Sequence, residues 1–136
     1  MKAEFDSDDF LTRPNFHDGY LKGIMLEAND QLSLHCEITN STMVQILIPR
    51  VSVVHANNFR EGNIILGFRI YTGEQYRREM IGQADNSVQQ FREDIDQGLS
   101  KIAEHGWSLF ELVSSYGCEL LVLFDGKRED VKFIAA

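Results

Sequence analysis

Cysteine is scarce in this chain: Cys36 and Cys118 stand far apart, with no CxxC spacing. Both fall on apolar stretches, where a thiol reads as a small buried hydrophobe and not as a nucleophile. Long apolar runs are missing too, none approaching the roughly 18 residues of a membrane-spanning helix. The opening "MKAEFDSDDF" has neither the basic region nor the apolar region of a secretory signal. A soluble protein kept in the reducing cytosol is the expectation. Basic residues are the minority, 13 Lys and Arg against 21 Asp and Glu, which leaves a formal charge of -8. That sign opposes contact with phosphate backbones and anionic membranes, so neither nucleic acid nor membrane is expected as a partner. It suits the approach of a basic protein, although an acid surplus also serves solubility alone. Neither GxSxG nor a glycine-rich phosphate loop occurs. "SSYG" at 114–117 is followed by another apolar stretch, not by the helix that a nucleophile elbow requires.

What is present is enough for one domain over residues 1–136, large enough to fold without a metal or disulfide. Residues 1–14, with Glu4, Asp6, Asp8 and Asp9 against Lys2 and Arg13, read as a loose acidic arm holding at most a helical turn at "SDDFL". Apolar alternation then begins. "GYLKGIMLEAN" and "QLSLHCEIT" form a hairpin turning at Asn29-Asp30, with Leu32, Leu34, Cys36 and Ile38 inward and Ser33, His35 and Glu37 outward. Leu21 breaks parity with Ile24 and Leu26, so a bulge is expected at Gly23. "TMVQILIPRVSVVHA" changes parity at Pro49, which has no N–H for a ladder and marks a bulge or a sheet edge. A free edge there would let two copies pair. "NNFREGN" is a turn, and "NIILGFRIYTG" places Ile64, Leu66, Phe68 and Ile70 at period two. Turns this short imply antiparallel neighbours.

The rhythm changes once more. Val88, Phe91, Ile95, Leu99 and Ile102 recur every three or four residues, an amphipathic helix over about 87–105. Ser87 and Gln90 fit a capping box at its start, and Gly106 fits the left-handed position past its end, with Trp107 packing back on Ile102. "EQYRREMIG" fits a shorter helix. "SLFELVSS", "GCELLVLFDG" and "EDVKFIA" read as closing strands, with "LLVLF" covered on both faces. The expected class is therefore α+β: a curled antiparallel sheet of six or seven strands with the long helix laid on one face.

Candidate chemistry is thin. His17-Asp18 invites a metal or catalytic reading, but a catalytic cation needs about three protein ligands, and adjacent side chains of an extended segment point apart. Asp18 bonding nearby amides to fix a turn explains the pair more simply. His35 faces outward from its strand, His55 follows "VSVV", and His105 suits a helix C-terminus. His17, Asp18, His35 and His55 form a polar site only if neighbouring strands bring them together. Glu93, Asp94 and Asp96 read as a solvated helix face. Tyr71 beside Arg69, and Tyr76 beside Arg77 and Arg78, give the aromatic and arginine mixture that binding surfaces favour, although ordinary packing at the rim of the core explains it more simply. No catalytic residue, cofactor or metal is assigned.

"FHDGYLKGI" followed by "QLSLHCEI" resembles small, mostly uncharacterised bacterial β-rich families that open with phenylalanine, a histidine-aspartate pair and an alternating hairpin. The likeness spans residues 16–70. Some members resemble immunity proteins, which neutralise toxin partners, and the resemblance implies such a role without transferring any functional residue. The leading expectation is a non-enzymatic acidic interaction protein with a protein partner. The alternative is a small-ligand-binding or hydrolytic domain with a pocket near His17 and Asp18.

Overall fold

A computed structural model describes residues 2–72 and 104–135. Two strands, β1 (Glu4–Phe5) and β2 (Leu11–Arg13), pair as a small hairpin. Eight more form one sheet: β3 (Tyr20–Leu26), β4 (Leu32–Ile38), β5 (Thr42–Ile48), β6 (Val51–Asn57), β7 (Asn63–Thr72), β8 (Ser108–Tyr116), β9 (Glu119–Phe124) and β10 (Lys132–Ala135). The order is β10-β5-β4-β3-β7-β8-β9-β6, and every pairing is antiparallel.

That order forces the sheet to roll up. Laid flat, β5 and β6 would lie six strand spacings apart, about 29 Å at roughly 4.8 Å per strand. Only Pro49 and Arg50 join them, and three Cα–Cα steps reach at most about 11 Å. The two ends of the sheet must therefore meet, and Arg50 fastens them. Its Nε donates to the Asp125 carbonyl (2.7 Å), its own carbonyl accepts from Asp125 N–H (3.0 Å), and its Nη2 lies 3.4 Å from Asp130 Oδ2. Arg50 holds φ at 47°, the bend that turns the chain from one end of the sheet to the other.

Rolling gathers the inward residues of all eight strands around one interior, which holds Leu34, Ile46, Ile70, Val122 and Phe124 among others. Aromatic rings bridge it: Phe16 meets Phe68 edge-on at 5.0 Å, Phe68 meets Phe110 at 5.0 Å, and Phe133 lies 6.1 Å from Phe16. Each fully buried side chain of this size contributes about 1.5–3 kcal/mol. A second, smaller apolar cluster lies on the outer face, where Tyr71, Leu109 and Leu123 pack with Val53, Trp107 and Leu121.

The α+β expectation is thereby corrected. Strand makes up 61% of the described structure, and no helix in it reaches 7 residues. The architecture is antiparallel β. The reason is geometric: a sheet that curls until its ends meet covers its own apolar face with its opposite wall and needs no helix as a lid. The segment expected as a long helix, 87–105, lies outside the described residues except for Glu104 and His105. The shorter helix at "EQYRREMIG", the acidic group Glu93, Asp94 and Asp96, and Tyr76 with its arginines lie outside them as well. Gly106 holds φ at 69°.

Among the described residues ten strands stand where six or seven were expected, because Pro49-Arg50 splits one long segment into β5 and β6, and because the N-terminal segment is not a loose arm. Asp6 Oδ1 accepts from the N–H groups of Asp8 (2.9 Å) and Phe10 (3.0 Å), making a tight acidic turn where a helical turn was expected. Phe10 bridges to Arg69 on β7, and buried Asp9 pairs with Arg128, whose Nε (3.0 Å) and Nη2 (2.8 Å) also donate to the Ile70 carbonyl.

Elsewhere local chemistry and structure agree. The β3–β4 hairpin turns through Asn29 (φ 65°) and Asp30 (φ 57°), the left-handed pair that a tight hairpin requires. A bulge lies between Leu21 and Gly23. On β7 the parity differs from expectation: bulges on either side of Ile65 turn Ile65 inward and leave Leu66 outside.

Candidate binding surface

The four polar residues singled out in the sequence do not form one site. His17 sits in the loop before β3, exposed, with its Nδ1 donating to the Leu66 carbonyl (3.0 Å) and its Nε2 3.6 Å from Asp18 Oδ2. The two side chains meet because Asp18 holds φ at 62°, so the segment is not extended and adjacent side chains need not diverge. The turn is closed by Gly19 N–H, which donates to the Phe16 carbonyl (2.8 Å), and Asp18 N–H, not its carboxylate, ties the loop to β7 by donating to the Ile65 carbonyl (2.9 Å). His35 lies on the outer face of β4, opposite Gly23 and Gln45, with Nε2 3.3 Å from Ser33 Oγ, which also accepts from Gln45 Nε2 (2.7 Å). His55 lies on β6, opposite Leu121. Among the described residues, no three or more His, Cys, Asp or Glu side chains are grouped to hold a metal ion. None of the four lines either of the two described concavities, which lie beside β10.

A different constellation stands out on the surface. The register aligns Tyr20 on β3 with Ile64 on β7 and Tyr116 on β8, so three neighbouring strands present these side chains outward in one row. Tyr20 is 38% and Tyr116 50% exposed, and Leu66, two positions along β7, is 45% exposed. Each tyrosine carries a cation over its ring: Lys22 Nζ lies 5.1 Å from the centroid of Tyr20, and the Arg60 guanidinium 5.4 Å from that of Tyr116. Lys22 is also 3.6 Å from Glu37 Oε2. Exposed Phe59 adjoins Arg60 in the chain.

One buried side chain holds this row in place. Asn63 Oδ1 accepts from the N–H of Arg60 (2.9 Å) and of Cys118 (2.9 Å), and its Nδ2 donates to the Leu21 carbonyl (3.2 Å). It thereby ties together β3, the loop that carries Arg60 and the turn that follows Tyr116. Gly117 lets the backbone approach this closely: it has φ 87°, and a Cβ there would sit 2.5 Å from Asn63 Oδ1.

A second polar group lies on the outer face of β7 and β8, under cover. Arg69 pairs with Glu111 in register, Arg69 Nη1 donates to Tyr71 Oη (3.0 Å), and Tyr71 Oη donates to Glu111 Oε1 (3.5 Å). The Arg69 guanidinium also stacks 3.9 Å over Phe10. Burial pushes the Glu111 carboxyl up to about 7, while Arg69 and the Tyr71 hydroxyl pull it the other way. Burial, with the Glu111 charge adding, lifts Tyr71 to about 12. Glu111 is 3% exposed and Tyr71 wholly buried, so this group is placed to set stability and not to meet a substrate. Tyr71, read as alternating outward beside Arg69, does lie on the outer face but is buried there, because that face is itself packed.

The sequence reading missed Tyr20, Tyr116 and Asn63. Tyr20 was visible as the residue of opposite parity to Leu21. The alignment of Tyr20 with Tyr116 depends on β7 lying between β3 and β8, which no local pattern encodes.

Comparison with known proteins returns no match, whether to a family model, a curated protein or a solved structure. Among the described residues no helix is long and apolar enough to cross a membrane.

Proposed function

We propose that this chain is a non-enzymatic interaction protein that binds a protein partner through the outward row Tyr20, Ile64 and Tyr116 with Leu66. The observation that carries this reading is the pairing of two exposed tyrosines with overlying cations on one three-strand face. Tyrosine and arginine are enriched where interfaces gain most of their energy, because a large ring with two rotatable bonds buries area at little entropic cost. The chain's -8 charge favours a basic partner and a salt-dependent encounter rate. A toxin is one such partner, as the immunity-like resemblance of residues 16–70 implies. Free, buried Cys36 and Cys118 support a reducing, cytoplasmic setting.

The test is affinity capture with the whole chain beside a Tyr20→Ala/Tyr116→Ala variant, with urea unfolding showing that the variant still folds. A protein held by the parent and lost by the variant supports the reading. Equal retention of every captured protein refutes it.

A further inference from the structure

The two ends of the row from Tyr20 to Tyr116 carry their charge differently. Lys22, which lies over Tyr20, is matched by Glu37 Oε2 at 3.6 Å. Arg60, 5.4 Å over the ring of Tyr116, belongs to none of the ion pairs among the described residues, and the adjacent Glu61 does not pair with it. The loop that presents Arg60 is shaped by two left-handed residues, Asn58 (φ 60°) and Gly62 (φ 77°). Asn63 Oδ1 accepts from both Arg60 N–H and Cys118 N–H, each at 2.9 Å, so the strand end that carries the ring and the loop that carries the guanidinium hang from one buried side chain. Tyr116 is 50% exposed, and so is Phe59, next to Arg60 in the chain. A guanidinium laid on an aromatic face has given up part of its rotamer freedom before any ligand arrives, and its N–H fork still matches the two oxygens of a carboxylate.

We infer that Arg60, stacked on Tyr116, receives a side-chain carboxylate of the protein partner, with Phe59 meeting an apolar residue next to that acid. This contact rests on the row being a protein-binding surface, and it fixes what the partner presents at one end of it. A partner that is basic overall satisfies it equally well. The field of the whole chain governs the encounter rate, whereas a matched pair at the contact governs orientation. Tyr20 and Tyr116 lie two strand spacings apart, about 10 Å. An acid that must reach Arg60, and not the already matched Lys22, therefore lets the partner lie along the row in one direction only. Phosphate is the other anion that a stacked arginine accepts, and an aromatic platform also suits a nucleobase. The charge of -8 favours the carboxylate, because an acidic side chain brings a single negative charge where a nucleic acid brings one with every nucleotide.

The probe is a phage library of random peptides selected on the full chain, with clones kept only where Tyr116→Ala abolishes their capture. Most of those clones are expected to carry Asp or Glu beside an apolar residue. One such peptide, labelled with fluorescein and titrated by fluorescence anisotropy, should bind at least about tenfold more weakly to Arg60→Glu and to Arg60→Gln. Both substitutions are exposed, and urea unfolding checks that each variant folds. Exchanging the acid for lysine in the peptide should restore its binding to Arg60→Glu. Four results would each overturn the inference: no clone that depends on Tyr116, dependent clones without an acid, equal binding to the parent and both Arg60 variants, or a lysine peptide that Arg60→Glu does not rescue. Displacement of the acidic peptide by micromolar oligothymidylate would assign the platform to nucleic acid, and self-association abolished by Arg60→Glu would assign it to a second copy; either overturns it too. Clones that need Tyr20 and Tyr116 but carry no acid would leave the row standing as a protein-binding surface while the role of Arg60 falls.

Discussion

Replacing Glu111 by glutamine should make the protein more stable at neutral pH, and by an amount that depends on pH in one direction only. The carboxyl is 3% exposed on β8, and its pKa is pushed from 4.5 to about 7 by burial that Arg69 and Tyr71 only partly offset. The folded chain thus holds this proton over a range where the unfolded chain has released it. Its stability is greatest below pH 4.5, falls as pH rises from there toward 7, and stays at the lower level above. At 1.36 kcal/mol per unit the full loss is about 3 kcal/mol. The amide of Glu111→Gln has nearly the same shape, keeps an oxygen for the Tyr71 hydroxyl and never ionises. The variant should exceed the parent by less than about 1 kcal/mol at pH 5 and by about 3 kcal/mol at pH 8. With a urea m-value of about 2 kcal/mol/M, the midpoint should rise by about 1.5 M at pH 8. Comparing parent and variant at each pH cancels every other titrating group. If the difference between them does not change from pH 5 to pH 8, or if the variant is the less stable at pH 8, then the burial of Glu111 is not what governs its ionisation.

Three further outcomes follow from the packing. Asn63→Ala strands the N–H groups of Arg60 and Cys118 and the Leu21 carbonyl, so the chain should lose about 3 kcal/mol of stability in urea unfolding, at 1–3 kcal/mol for each buried orphan. Arg128→Ala removes the partner of buried Asp9, two bonds to the Ile70 carbonyl and the cation over Phe5; it should cost about 2 kcal/mol and make the bonds after Phe5 and Phe10 far more sensitive to chymotrypsin than in the parent. The thiols of Cys36 and Cys118 are buried and pushed up to about 12 and about 11 by desolvation. A thiol reagent at pH 8 should leave both unlabelled in the native chain and label both in urea.

Local patterns carried far into this structure where a rule concerns neighbours along the chain. The alternation of Leu32, Leu34 and Cys36, the Asn29-Asp30 turn and the bulge at Gly23 are each set by the geometry of a single hairpin. The candidate surface was legible only in fragments. Tyr20 and Tyr116 are far apart in the chain, and what makes them one feature is the position of Ile64 between them. The same holds for the first polar suspects: His17 lies in the loop before β3, His35 on β4 and His55 on β6, and strand order, not strand identity, decides who meets whom.

By itself, then, the sequence determined that the chain is an acidic, largely antiparallel assembly of short strands, because period-two burial and tight turns are written residue by residue. Only the tertiary structure decided how those strands close. The two-residue link at Pro49-Arg50 joins strands that stand second and eighth in the sheet, and that long-range strand order, invisible in any window of sequence, rolls the sheet over its own core and stands Tyr20 beside Ile64 and Tyr116.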